Sequence, residues 1–245
     1  MFGLFGNKNR QAADYAMLQT DMHSHLIPGI DDGAQDMETS LSLVRGMQKL
    51  GFKKIITTPH VMWDMYKNES ATILSGLQQL QNRLDAEGIE MEITAGAEYF
   101  LDDHVKDMLK RKEPLLTISG NLVLVEFSMA SPPLDLKELL FEMQLQGYQP
   151  VIAHPERYVY QERNKSFFQE LKAAGYFFQL NLLSLAGFYG KAVQDLSSYL
   201  LKNDYYDLAG SDLHSERHLE MLSHPAIAAP LSRLLGQGRL LNPSL

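Results

Sequence analysis

Short apolar runs recur along this chain, most of them divided by amphipathic stretches that end at a glycine, and this rhythm narrows the possible folds more than any other feature. The runs are Ile55–Thr58, Met91–Ala95, Leu122–Val125, Val151–Ala153, Phe177–Leu180 and Tyr206–Ala209. Several are apolar throughout rather than alternating, as expected of parallel strands covered on both faces. Among the intervening stretches, Asp36 caps a predicted helix that carries Leu43, Val44, Met47 and Leu50 and stops at Gly51. Thr72–Ala86 spaces Ile73, Leu77, Leu80 and Leu84 similarly before Gly88, and Leu136–Gln146 and Asn164–Ala174 close at Gly147 and Gly175. Six or seven such units without a break imply a single barrel-like α/β domain.

The residues at the ends of these runs carry the chemistry. Asp21-Met22-His23-Ser24-His25 opens the series, and His60, Glu98, Glu126 and His154 follow successive runs, with Asp212 and His214 after the last. In a βα barrel the C-terminal ends of the strands share one mouth, so residues far apart in sequence can converge there. His-x-His and Asp-x-His on extended chain put both side chains on one face, where two donors can reach one ion. Each piece alone is weak evidence. Five of the eight histidines fall at these positions, however, and the joint pattern points to a site for several metal ions. His104, His218 and His224 follow no apolar run and read as surface residues.

Composition removes alternatives. There is no cysteine, which excludes disulfides, thiolate ligands and a phosphocysteine mechanism. Imidazole and carboxylate donors suit Mn, Fe, Zn or Mg. A formal charge of -8 argues against a nucleic-acid partner. It also opposes an anionic phosphate substrate, unless bound cations reverse the local field. No apolar run approaches the roughly 18 residues of a membrane span. Met1–Arg10 has only a broken apolar stretch and makes a poor signal peptide, so the expected location is cytoplasmic. Residues 1–18 read as an N-terminal extension or contact segment, and 19–245 as the domain.

The block His23-Ser24-His25-Leu26-Ile27-Pro28-Gly29-Ile30-Asp31-Asp32-Gly33, with Thr58-Pro59-His60, Gly96-Ala97-Glu98, His154-Pro155-Glu156-Arg157 and Ser211-Asp212-Leu213-His214, resembles the polymerase-and-histidinol-phosphatase (PHP) superfamily. Within it the chain is similar to bacterial tyrosine phosphatases of capsular and exopolysaccharide synthesis, over roughly residues 19–220. The resemblance implies a distorted (β/α)7 TIM-like barrel, the PHP fold, in one domain. It implies as metal ligands His23, His25, Asp32, His60, Glu98, Glu126, His154, Asp212 and His214, with Asp32 preferred to Asp31 by its place in the motif. It further implies Arg157 as catalytic phosphate-binding arginine, and Arg217 is a second candidate for the phosphate. The implied substrate is phosphotyrosine on the tail of a bacterial tyrosine kinase that regulates polysaccharide synthesis.

Nine donors exceed the about four to six that one ion takes, so two or three divalent ions are expected, Mn foremost. A water activated between them would attack phosphorus in line. Trp63, Tyr66, Tyr99, Phe100 and Tyr158 follow the strand-end motifs and are candidates for an aromatic rim. The competing readings are another phosphoesterase on this scaffold, such as a histidinol-phosphate phosphatase, and a non-catalytic metal-binding regulator of the polysaccharide machinery.

Overall fold

A computed structural model describes residues 13–245. Strands and helices alternate along it as β1 (Thr20–Asp21), α1 (Met37–Lys49), β2 (Lys54–Thr57), β3 (His60–Val61), α2 (Ser70–Ala86), β4 (Glu92–Ala95), β5 (Glu98–Phe100), α3 (Asp103–Arg111) and β6 (Leu122–Glu126). The order continues with α4 (Leu136–Leu145), β7 (Gln149–Ala153), α5 (Lys165–Ala173), β8 (Phe177–Asn181), α6 (Lys191–Lys202), β9 (Leu208–Gly210), α7 (Glu216–Leu222) and α8 (Pro225–Gly236). Helix α1 starts where its side-chain chemistry dictates, because the Asp36 carboxylate accepts the Thr39 N–H at 2.8 Å. It stops at Gly51, whose φ of +103° few other residues tolerate. Helix α2 buries Ile73, Leu77, Leu80 and Leu84, the stripe predicted from spacing, and begins two residues earlier than predicted. The last strand lies two residues later than its predicted run, and Tyr206 packs in the core instead.

The strand pairings are all parallel, in the orders β1–β2–β4 and β3–β5–β6–β7–β8–β9. Two of the divisions are nominal. Thr58-Pro59 interrupts β2/β3 because proline has no N–H, yet Gly96 N–H still donates to Thr57 O at 2.9 Å and Glu98 N–H to Pro59 O at 3.1 Å. Among the described residues the chain therefore makes seven parallel passes. Its two edges meet where Ser24 bridges Leu213, with His25 N–H donating to Leu213 O at 2.9 Å and Asp212 N–H to His23 O at 2.8 Å. The result is the expected (β/α)7 barrel, distorted by broken strands.

Alternation along the strands sorts the apolar residues into two cores. Met22, Ile56, Ile118, Leu124, Val151, Ala153 and Leu208 fill the barrel interior. Ile55, Ile93, Val123, Val125, Ile152, Phe178 and Leu180 face the helices in a larger outer core. Of the segment expected as an extension, residues 13–18 pack on the domain: Tyr15 stacks on Phe52 at 4.8 Å and donates its hydroxyl to Leu222 O at 2.8 Å. Residues 1–12 lie outside the described residues. Among the described residues no helix is long and apolar enough to cross a membrane.

The seam between first and last strands has a second clasp away from the mouth. Asn242 is fully buried, and its amide accepts Ala209 N–H at 2.9 Å and donates to Ala209 O at 2.7 Å and Thr20 O at 2.9 Å. Replacement by alanine strands three buried backbone groups, each costing about 1–3 kcal/mol when unpaired. Asn242→Ala is expected to lower unfolding free energy by about 3 kcal/mol in a urea titration. A change below about 0.5 kcal/mol would mean that water replaces the clasp.

Candidate metal centre

All nine candidate donors reach one mouth of the barrel. His23 and His25 extend from β1, His60 and Glu98 begin β3 and β5, Glu126 ends β6, His154 follows β7, and Asp212 and His214 follow β9. Asp32 comes from the turn after His25. Glu98, fully buried, lies at the middle. Its Oε2 is 3.1 Å from His23 Nε2, 3.1 Å from His60 Nδ1 and 3.5 Å from His25 Nε2, and its Oε1 is 3.2 Å from His154 Nε2. Asp212 Oδ1 is 3.4 Å from both His23 Nε2 and His214 Nδ1. Glu126 approaches His60 Nδ1 at 3.3 Å, and Asp32 lies 3.5 Å from His60 Nε2 and 3.6 Å from His214 Nε2. These atoms form four overlapping groups with metal-ligand spacing: His23-His25-Glu98, His60-Glu98-Glu126, His23-His154-Asp212 and His25-Asp32-His60-His214.

The surrounding chain holds these groups in place. Asp31 and Asp32 are adjacent in sequence but point apart. Asp31 sits behind His25, accepting its Nδ1–H at 2.8 Å together with the N–H groups of Gly33 and His60, while Asp32 faces the cluster. Gly33 is required here, since a Cβ on it would fall 2.2 Å from His25 O. Asp212 Oδ2 accepts Arg157 at 3.1 Å and Asn181 Nδ2 at 2.9 Å, which leaves Oδ1 for the imidazoles. His154 and Asp212 both have left-handed backbone, with φ of +33° and +53°. Non-glycine residues hold that conformation at a cost of about 1–3 kcal/mol, usually where function fixes it.

Electrostatics bind the cluster tightly. Burial alone would lower His23, but the Glu98 and Asp212 carboxylates outweigh it and raise its pKa to about 9. His60 is likewise raised to about 10 against its burial, by Glu98 and Glu126. His214 is raised by Asp212 and Asp32. Burial pushes Glu98 and Asp212 toward protonation, yet the neighbouring histidines hold both well below the ordinary carboxylate range.

Above the cluster opens a cavity of about 670 Å³. One wall is apolar, built from Met62, Met65, Tyr66, Phe100 and Met129; Arg157 and His218 stand among the polar lining. Two of the five aromatics expected at a rim, Tyr66 and Phe100, reach it. Tyr99 points the other way from Glu98 and Phe100 along β5, and its hydroxyl accepts Leu116 N–H at 2.7 Å within the core. Tyr158 is buried against Phe127, and Trp63 stacks on His104 at 3.7 Å. Arg157 lines the cavity with its guanidinium 4.6 Å from the Tyr189 ring. Arg217 does not line it: the side chain is exposed on α7, 5.2 Å from the Phe188 ring. His218 is not the surface residue expected. Helix α7 folds back so that its Nδ1 lies 3.1 Å from Asp212 O and its ring enters the lining. No apolar run precedes it, so strand-end reasoning had no means of finding it.

Comparison with known proteins places this geometry. The profile of the family described as "Capsular polysaccharide synthesis, CpsB/CapC" matches residues 19–229. The tyrosine-protein phosphatase YwqE of Bacillus subtilis is 34% identical over 195 residues, 80% of this chain and 77% of that protein. The tyrosine-protein phosphatase CpsB of Streptococcus pneumoniae is 29% identical over 201 residues, 80% and 82% of the two chains. A crystal structure from a study of YwqE and CpsB, described there as unique metal-dependent tyrosine phosphatases, superposes with a TM-score of 0.79 at 32% identity over 87% of this chain and 86% of that one. An amidohydrolase from Mycoplasma synoviae, at 12% identity and a TM-score of 0.52 over 94% and 87% of the two chains, shares the fold alone. With the profile spanning most of its length and a relative above 30% identity across most of both sequences, this chain belongs to the CpsB/CapC family of capsular polysaccharide synthesis.

Proposed function

We infer that this chain is a metal-dependent protein-tyrosine phosphatase whose nine His, Asp and Glu donors hold two or three divalent ions, Mn foremost. The observation that carries the reading is the cavity itself, an apolar wall facing a cluster of imidazoles and carboxylates beside an arginine. The donor set fits the ions chemically. His60 Nδ1 is buried between Glu98 and Glu126, 3.1 and 3.3 Å away, yet is aligned for a hydrogen bond with neither. A cation among the three would satisfy it, and hard oxygen with imidazole suits Mn or Fe. Glu98 and His23 each belong to two donor groups, which favours ions sharing ligands over isolated sites.

When bound, such ions neutralise the phosphate and activate a water for in-line attack. The protein's own groups do the rest. Arg157 keeps one nitrogen on Asp212 and offers its remaining N–H donors to a phosphate oxygen. Met62, Met65, Tyr66, Phe100 and Met129 hold an aromatic ring against an apolar face, with thioethers adapting to its shape. The leaving tyrosinate has an ordinary pKa of about 10 and departs with little protonation, so the site needs no strong general acid. Family membership in capsular polysaccharide synthesis supports the phosphotyrosine tail of a bacterial tyrosine kinase as substrate, reached in the cytoplasm.

Chelation is expected to abolish hydrolysis of a phosphotyrosyl peptide, and Mn to restore it before Mg. Metal-analysed, chelator-treated protein that keeps full turnover would refute the reading, and a strong preference for histidinol phosphate would redirect the substrate assignment. Arg157→Ala should keep its metal content while kcat/KM falls about 10–100-fold, the worth of a charged hydrogen bond. Unchanged turnover would remove Arg157 from the phosphate.

A further expectation concerns protons. At pH 7 His23 and His60, raised to about 9 and 10, are protonated in the protein without cations. Binding must displace those protons, so Mn uptake should release them and tighten from pH 7 toward 9. Stability without cations runs the opposite way. The charged pairs contribute fully below the unfolded histidine pKa of about 6.5, and that contribution is lost as pH rises through 9 and 10. Calorimetry of Mn binding in buffers of different ionisation enthalpy tests the release, and equal apparent heats would contradict it.

A further inference from the structure

Gln179 has no place among the nine donors and makes no contact with the cavity, yet it lies fully buried on the inward face of β8, directly behind His23. Its Oε1 is 3.0 Å from His23 Nδ1 and 3.2 Å from the backbone N–H of His154, and its Nε2 is 2.7 Å from Leu180 O. A backbone N–H can only donate and a carbonyl can only accept. These two partners therefore settle which end of the amide is oxygen, an assignment that is otherwise a matter of choice. An amide oxygen only accepts, so His23 Nδ1 must carry its hydrogen. The lone pair of neutral His23 is then on Nε2, the atom 3.1 Å from Glu98 and 3.4 Å from Asp212.

His25, two residues on, is oriented in the same sense by a different group, since its Nδ1 faces the Asp31 carboxylate at 2.8 Å. A carboxylate behind an imidazole raises its strength as a donor, and a neutral amide does so less. The two histidines of one His-x-His pair are thus backed unequally. The space for the amide is made by Gly210, where a Cβ would fall 2.6 Å from His23 Cβ and 3.1 Å from Gln179 Nε2.

We propose that Gln179 is a positioning residue that fixes His23 to present Nε2 to the cation, and that its neutrality leaves His23 a weaker donor than a carboxylate at the same position would. The proposal rests on the metal-centre reading above. It also accounts for an amide rather than an acid at this position. Glu98, Asp212, Asp31 and Glu126 already crowd the site with buried or nearly buried carboxylates, and a further buried charge there would need its own counter-charge.

Three proteins decide the matter, each measured for bound Mn per chain by elemental analysis, for Mn affinity by competition with an indicator, and for melting temperature. Gln179→Met, similar in length but without an acceptor, should weaken Mn binding about 10–100-fold, as loss of a group orienting a metal-ligating histidine does. Gln179→Glu keeps an acceptor behind His23 and should bind Mn at least as tightly as the unaltered protein. A merely structural role predicts the reverse order, because glutamate buries a charge and loses the donor to Leu180 O. Wild-type affinity in Gln179→Met, or Mn binding in Gln179→Glu weaker than in the unaltered protein, would overturn the proposal. If Gln179→Met does not fold, the Gln179→Glu comparison decides alone. Failure of the unaltered protein to take up Mn would instead defeat the metal-centre reading, and this inference with it.

Discussion

A fully buried carboxylate whose ion-pair partners, among the described residues, are all histidines is the constraint around which this molecule is organised. Glu98 lies within 3.5 Å of four imidazoles contributed by widely separated stretches of the chain. Burying such a charge is tolerable only when opposite charge surrounds it. Protons on the histidines supply that charge, and metal ions held by the same groups would supply it in their place, so the same atoms would serve folding and chemistry. The barrel follows from this requirement, since few arrangements other than the common end of parallel strands bring that many donors to one point.

Much of the barrel was legible because its units are strongly patterned. The stripe of α2 and the capped start of α1 are local properties, and structure agrees with them to within a residue or two. Helix α3 escaped notice because it buries only Val105 and Leu109 among charged residues. The short run at β1 is too brief to show a period, and what holds it is distant in sequence: β2 pairs with it, and Ser211 N–H donates to the Asp21 carboxylate from 190 residues away.

The candidate site was legible in its donors and less so in what surrounds them. Strand ends marked eight of the nine residues, and Asp32 came only from the motif of the resemblance. Nothing local separates Asp31 from Asp32, which diverge because the turn faces them to opposite sides of His25. Tyr99 and Phe100 are neighbours with opposite fates, and alternation counted from Glu98 would have placed Phe100 alone at the cavity. The same count applied to Phe177-Phe178-Gln179-Leu180 shows a polar side chain inside an apolar run, which is a signal for a buried partner. His218 needed three dimensions.

The apolar wall has a chemical liability that the rest of the site lacks. With no cysteine in the chain, peroxide finds no thiol to attack, and the oxidisable sulfur lining the cavity belongs to Met62, Met65 and Met129. Met65 is 65% exposed and Met129 37%, so both stand open to oxidants in solution. Conversion to sulfoxide would make that face polar and stiff while leaving every imidazole and carboxylate intact, and methionine sulfoxide reductases could reverse it. Oxidative damage would then impair the grip on an aryl group and spare the grip on metal, a separation that enzymes built on a reactive thiolate do not have.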